Sequence, residues 1–186
     1  MLRSAETRED ACTNNDLRAH YNEPMRAVRY VYVLALAVWL GGMVVLGAVV
    51  APATFQVLQA SEPVTGRELG GAVFTTILER FHYIAYGSGA LLLITLAVMA
   101  VLGPRPRGFA VRVALITAML AVALYSGVVV LRNADGIRRE VGGQPSRLPA
   151  TDARRVRFDE LHVLSTRLMM INVFGALALL FWEARE

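Results

Sequence analysis

The sequence predicts an all-α integral membrane protein: a four-helix bundle whose second and fourth helices extend beyond the bilayer. Four apolar runs of about 20 residues each can cross the roughly 30 Å hydrocarbon core as helices. The 186 residues are 55% hydrophobic and only 18% charged, whereas soluble domains carry about 25% charged residues. Glycine and proline separate the apolar runs, as expected for turns between spans. We expect one membrane domain over residues 27–186.

The first predicted span covers residues 30–51 and is expected to end at Pro52. A polar stretch of mixed charge, residues 1–26, precedes it and is predicted to be a weakly ordered tail. The span is too long for the apolar core of a cleaved signal peptide, which holds about 7–15 residues. We therefore interpret residues 30–51 as a retained transmembrane helix.

The second predicted span covers residues 83–102, but its helix is expected to begin much earlier. Thr65 and Glu68 have the spacing of a capping box, which predicts a helix from about residue 65 to Leu102. The sequence Gly103-Pro104-Arg105-Pro106 then predicts a sharp stop.

The third and fourth predicted spans cover residues 111–131 and 161–182. Gly142-Gly143-Gln144-Pro145 predicts the turn between them. Pro149 suits the first turn of a helix that runs from about Ala150 to Trp182. Residues 132–160 are therefore interpreted as helical extensions around a turn rather than as one long loop.

The distribution of arginine gives a weak signal for orientation. All 19 basic residues are Arg, and nine lie on each side of the predicted membrane, with Arg167 inside the fourth span. Arg26 and Arg29 precede the first span, and the 103–110 loop is basic without an acid. Under the positive-inside rule we favour a plasma (inner) membrane protein with both termini in the cytoplasm.

Composition and motifs exclude several functional classes. The only cysteine, Cys12, cannot form an internal disulfide or a cysteine-based metal cage. Hydrolase triads, phosphate-binding loops, dinucleotide fingerprints and HExxH are absent. The expected partners are the lipid bilayer and either a second copy of the chain or another membrane protein, and we expect no nucleic acid.

Two histidines are the candidate cofactor or metal ligands. His82 opens the second span and His162 opens the fourth, so connectivity places both near one interface. Ionisable groups that face the interior of a membrane bundle are functional candidates. The polar residues expected at the same interface are Glu79, Arg80, Arg132, Asn133, Asp159, Ser165 and Arg167.

The fourth helix carries a polar and small-residue stripe. His162, Ser165, Met169 and Asn172 recur at steps of three and four, which places them on one helix face. Two neutral imidazoles could ligate a haem iron, or bind copper with Met169. The alternative is that both histidines only hydrogen-bond to neighbours at headgroup level. Arg167 lies on another face, where it snorkels or pairs with an acidic group.

Three separated segments carry a resemblance to a known family. The segments are Trp39-Leu40-Gly41-Gly42 with Ala51-Pro52-Ala53-Thr54-Phe55, then Arg132-Asn133, and then Phe158-Asp159-Glu160-Leu161-His162-Val163-Leu164-Ser165. Together they resemble the transmembrane protein 205-like family, also defined as domain of unknown function 4149. The opening helix is similar as well to four-helix copper-resistance and haem-related membrane families.

The resemblance implies a four-helix membrane architecture but no settled activity. The first functional hypothesis is therefore a non-enzymatic membrane protein that acts in stress resistance or transport. The alternative is a haem- or copper-binding membrane protein, or an oxidoreductase subunit, that uses His82 and His162.

Overall fold

The protein, described here from a computed structural model, is a bundle of four long helical rods. The backbone is described for residues 3–102 and 107–185, and side chains for Glu23 and within residues 25–102 and 107–185. The predicted stop at residues 103–106 and the Cys12 side chain lie outside the described residues. The helices are α1 (Arg3–Val45), α2 (Ala51–Ser61), α3 (Gly66–Leu102), α4 (Phe109–Tyr125), α5 (Leu131–Glu140) and α6 (Ala153–Glu183).

Two of the rods each contain a π-helical turn. The turn Leu46–Val50 joins α1 to α2, and the turn Ser126–Val130 joins α4 to α5. Four continuous rods result, all long and apolar enough to span a membrane: Met25–Ser61, Gly66–Leu102, Phe109–Glu140 and Ala153–Glu183. The predicted four-helix membrane fold is confirmed, and the chain is an integral membrane protein.

The prediction that Pro52 ends the first helix was wrong, because α2 continues to Ser61. Pro52 lies in the first turn of α2, directly after the π-helical turn. There the Ala51 amide bonds to the Leu46 carbonyl, five residues back. This wider turn accommodates a proline ring that would clash with the preceding carbonyls in a regular helix.

The helix starts at residues 66 and 153 follow from local chemistry. The α3 helix begins at Gly66, as predicted. The Glu68 carboxylate, which in a capping box would bond at the start of its own helix, instead accepts hydrogen bonds from Ser146. The α6 helix begins at Ala153, later than Pro149 suggested, because Asp152 caps it by accepting from the Arg154 amide at 2.9 Å. Hydrogen bonds from the side chain and amide of Arg154 lower the pKa of Asp152 to about 2.

The rods pack so that each contacts two others. The α1 helix packs against α3 and α6, and α4 packs against the same two helices. The core between them is apolar and includes Leu36, Trp39, Leu92 and Ile116. A Cβ added to Gly89 would lie 2.9 Å from Leu120 and 3.2 Å from Trp39, so only glycine permits this close approach between helices.

The two ends of the bundle differ in structure. We call the end that carries Met25, Leu102, Arg107 and Glu183 the terminal end. The distal end carries residues 62–65 and the 141–152 connection. In that connection Gly142 and Gly143 adopt φ of 64° and 84°, which confirms the turn predicted there. The outer faces of the rods expose apolar side chains such as Ile94 and Phe174, as lipid contact requires.

Candidate functional site

A cavity of about 760 Å³, partly open to the surroundings, lies among the helices in the distal half of the bundle. Its lining runs from Trp39 in the core to Pro145 and Ser146 in the distal connection. Its volume lies in the range typical of small-molecule sites, which are concave and mostly apolar. The cavity is therefore the candidate functional site.

The walls of the cavity are mainly aromatic and aliphatic. Large side chains such as Phe81, Phe158 and Val173 form much of the surface. Small residues, including Ala85 and Ala123, leave the space that larger side chains would fill. An occupant would accordingly bury hydrocarbon against most of the lining.

Both π-helical turns border the cavity. Gly47 and Ala48 of the first turn line it, as do Ser126 and Val130 of the second. The two turns share the pattern x-Gly-x-Val-Val, seen in Leu46–Val50 and Ser126–Val130. Such turns are uncommon and occur frequently at functional sites. Their position adds an independent reason to regard the cavity as functional.

His82 is the buried imidazole of the cavity, with 9% of its surface exposed. Its Nδ1 lies 2.8 Å from the Leu78 carbonyl oxygen. Because a carbonyl can only accept a hydrogen bond, Nδ1 is the protonated nitrogen, and in the neutral ring Nε2 carries the lone pair. One edge of the ring faces Gly127, where an added Cβ would lie 2.6 Å from the His82 Cδ2.

Asn172 supplies a second polar group to the lining. It is 5% exposed, and its side-chain Oδ1 has no hydrogen-bond partner among the described residues. Ser126 is also buried and lines the cavity. A few convergent polar groups in an otherwise apolar site are what orients a bound molecule.

The predicted site residues separate into two groups in the structure. His162, Ser165, Met169 and Asp159 line the cavity together with His82. Of these, His82 is buried, whereas His162 and Asp159 are exposed. The others do not line it: Glu79, Arg80, Arg132 and Asn133 are exposed, and Arg167 lies on the outer face of α6 beside Val163 and Leu164.

A metal cage built from side chains is not evident. Within residues 25–102 and 107–185, no group of three His, Cys, Asp or Glu side chains is placed to hold a metal ion. Glu160, which lines the same surface depression as Arg167, pairs with Arg157 at 3.1 Å.

A buried ion cluster at the terminal end was not anticipated. The Glu183 carboxylate pairs with Arg112 at 2.8 Å and also with Arg29. Arg112 is 1% exposed and lies 5.5 Å from the Trp182 ring centroid. The sequence feature that could have predicted this cluster is the position of Arg112 inside an apolar run, because a charged side chain there normally has a partner within the bundle.

The matched family covers more than half of the chain. Residues 34–141 match the family described as "Domain of unknown function (DUF4149)". The chain belongs to the DUF4149 family. The DUF4149 region holds both π-helical turns and His82, and it ends before α6, which carries His162, Met169 and Asn172. No curated protein and no solved structure matches the chain significantly.

Proposed function

We propose that this DUF4149 protein is a non-enzymatic membrane protein of the transmembrane protein 205-like type that binds an apolar small molecule between its helices. The observation that carries the proposal is the cavity, which lies between two π-helical turns and is mostly apolar. Reversible binding of such a molecule suits a role in transport or in resistance to membrane-active compounds.

Orientation and assembly belong to the same proposal. The protein resides in the plasma (inner) membrane with both termini in the cytoplasm, supported by Arg26 and Arg29 before the first span and by the basic 103–110 loop. It works as a homo-oligomer or with a membrane partner protein, because the exposed apolar faces of its rods can pack against other helices as well as lipid.

Filling the cavity is expected to weaken binding of an uncharged apolar probe. The detergent-purified protein should increase the fluorescence of N-phenyl-1-naphthylamine saturably. Ala123→Leu places extra methyl groups at a lining position and should weaken the probe's affinity about tenfold or more. Ala85→Leu, on another helix, should act in the same direction.

Ala121→Leu is the matched control because Ala121 lies on the exposed face of the same helix. It should bind the probe like the wild type. Equal affinity in all four proteins, with folding verified by circular dichroism, would contradict binding in the cavity.

The second candidate function is haem or copper binding by His82 and His162. Two observations favour it: both imidazoles line one cavity, and the Leu78 carbonyl holds His82 Nδ1 so that Nε2 is available as a ligand. Met169 lies in the same lining and would complete a copper site. With a bound redox centre the protein would act as an oxidoreductase subunit.

A visible spectrum and an elemental analysis test this second candidate. A haem-binding protein should show a Soret band that both His82→Ala and His162→Ala remove. A copper-binding protein should retain copper after gel filtration and lose it in the same variants. Protein reconstituted with haem and with copper that then retains neither would reject both forms.

A further inference from the structure

The polar mouth of the cavity contains a guanidinium group with few neutralising contacts. Arg138 lies on α5 and lines the cavity at its distal end. Its Nη1 donates to the Thr75 hydroxyl at 3.0 Å, and the guanidinium lies 5.9 Å from the Phe158 ring centroid. Both partners are uncharged, so neither neutralises the cation.

The carboxylates around the mouth are committed to other partners. Glu68 accepts from the amide and hydroxyl of Ser146. Asp135 pairs with Arg139, and Asp159 lies 4.0 Å from Arg155. Within the part of the chain that the structure describes, no carboxylate forms an ion pair with Arg138. Arg138 is therefore a cation without a paired carboxylate among the described residues, in a lining that also contains the Glu68 carboxylate.

The free edge of this guanidinium suits a carboxylate. Nη1 is engaged by Thr75, whereas Nε is buried without a hydrogen-bond partner among the described residues. Nη2 packs against Gly71, where an added Cβ would lie 2.9 Å from it, so the guanidinium occupies the place of a side chain there. A small rotation would present Nε and Nη2 together, the planar fork that binds a carboxylate through two hydrogen bonds.

We propose that the cavity holds a single-chain amphiphile with a carboxylate head, of the long-chain fatty acid class, whose head binds Arg138. This inference rests on the proposed function and names its ligand. The hydrocarbon chain extends past Phe81 and Met169 toward Trp39. Charge complementarity at the mouth and an apolar interior together select an anionic head with an apolar tail.

Arg155 extends the positive character of this mouth. Its Nη1 donates to the carbonyl oxygens of Ser146 at 3.2 Å and Leu148 at 2.6 Å. These bonds hold the distal connection beside the cavity. Among the described residues, the carboxylate that pairs with Arg155 is Asp159, at 4.0 Å. An arriving carboxylate would meet both cations.

Competition between two ligands of equal chain length tests the inference. Palmitate and hexadecanol differ only in the head group, so each is used to displace N-phenyl-1-naphthylamine from the full-length protein in detergent. Palmitate should displace the probe at about tenfold lower concentration, because a charge-assisted pair of hydrogen bonds contributes roughly that factor or more. Arg138→Gln should remove the preference and leave hexadecanol unchanged.

The matched control is Arg132→Gln, because Arg132 lies on the same helix, is exposed and does not line the cavity. It should keep the preference for palmitate. Equal displacement by both ligands, or a preference that survives Arg138→Gln, would overturn the carboxylate site while leaving apolar binding intact. Failure of the probe to bind at all would instead refute the proposed function.

Discussion

Replacing Glu183 with glutamine is expected to lower the free energy of unfolding by about 3–5 kcal/mol, the cost of breaking a buried ion pair. The carboxylate accepts from Arg112 and Arg29, and Glu183 itself is buried. Arg112 is enclosed by the bundle and cannot readily reach water when the carboxylate is gone. Glutamine removes the negative charge that Glu183 places 2.8 Å from the Arg112 guanidinium.

The consequence extends to helix packing, because the three charged residues lie on three different rods. Arg29 belongs to α1, Arg112 to α4 and Glu183 to α6. The cluster therefore joins the terminal ends of these rods. We expect Glu183→Gln to loosen that end and leave the distal cavity less affected.

The measurement is reversible unfolding in mixed detergent, with Glu160→Gln as the control. Glu160 forms an exposed pair with Arg157 on α6, and such pairs contribute about 0–1 kcal/mol. A double variant, Arg112→Met with Glu183→Leu, should be more stable than Glu183→Gln, because it removes both buried charges and leaves only Arg29, whose side chain is 45% exposed. If Glu183→Gln were no more destabilising than Glu160→Gln, the cluster would have no structural role.

Gly127→Ala is expected to destabilise the protein by about 1–3 kcal/mol, the typical cost of overpacking. The new Cβ would lie 2.6 Å from the His82 Cδ2 and would also overlap the Tyr86 hydroxyl. The imidazole is held at its Nδ1 by the Leu78 carbonyl, so it cannot move without losing that bond. Either the second π-helical turn or His82 must shift.

Gly136→Ala is the natural control for this substitution. Gly136 lies on the same rod, and nothing lies within 4 Å of a Cβ added there. Alanine should stabilise that helical position by about 0.5–1 kcal/mol relative to glycine. Thermal unfolding in detergent measures both effects, and probe binding shows whether the cavity changes. A Gly127→Ala protein as stable as Gly136→Ala would mean that His82 is not tightly packed there.

The parts of the fold that could be predicted from the sequence depend on short stretches of neighbouring residues. Hydropathy and length predicted four membrane helices, and the start of α3 followed from residues near Thr65. The turn at Gly142 and Gly143 was likewise a local signal, because both residues adopt positive φ. The prediction that Pro52 ends the first helix was wrong because the preceding π-helical turn relieves the clash that a proline normally causes.

The candidate site was predictable only along single helices. The spacing of His162, Ser165 and Met169 placed them on one face of α6, and the structure has all three lining the cavity. The spacing held no information about Arg138 and Thr75, which lie on different rods. Nor did it reveal that Arg112 would pair with a residue near the C-terminal end of α6.

The sequence by itself determined that the chain crosses the membrane as four helices, because burying backbone amides in lipid requires each apolar run to satisfy its own hydrogen bonds. Tertiary structure alone decided which faces meet, where the helices separate to leave a cavity, and which charges are neutralised. Those outcomes depend on how side chains of distant segments pack together, and on small residues such as Gly89 that allow close approach. The spacing of apolar and polar residues along one helix does not determine how a neighbouring helix is rotated about its axis or how deep it lies in the membrane.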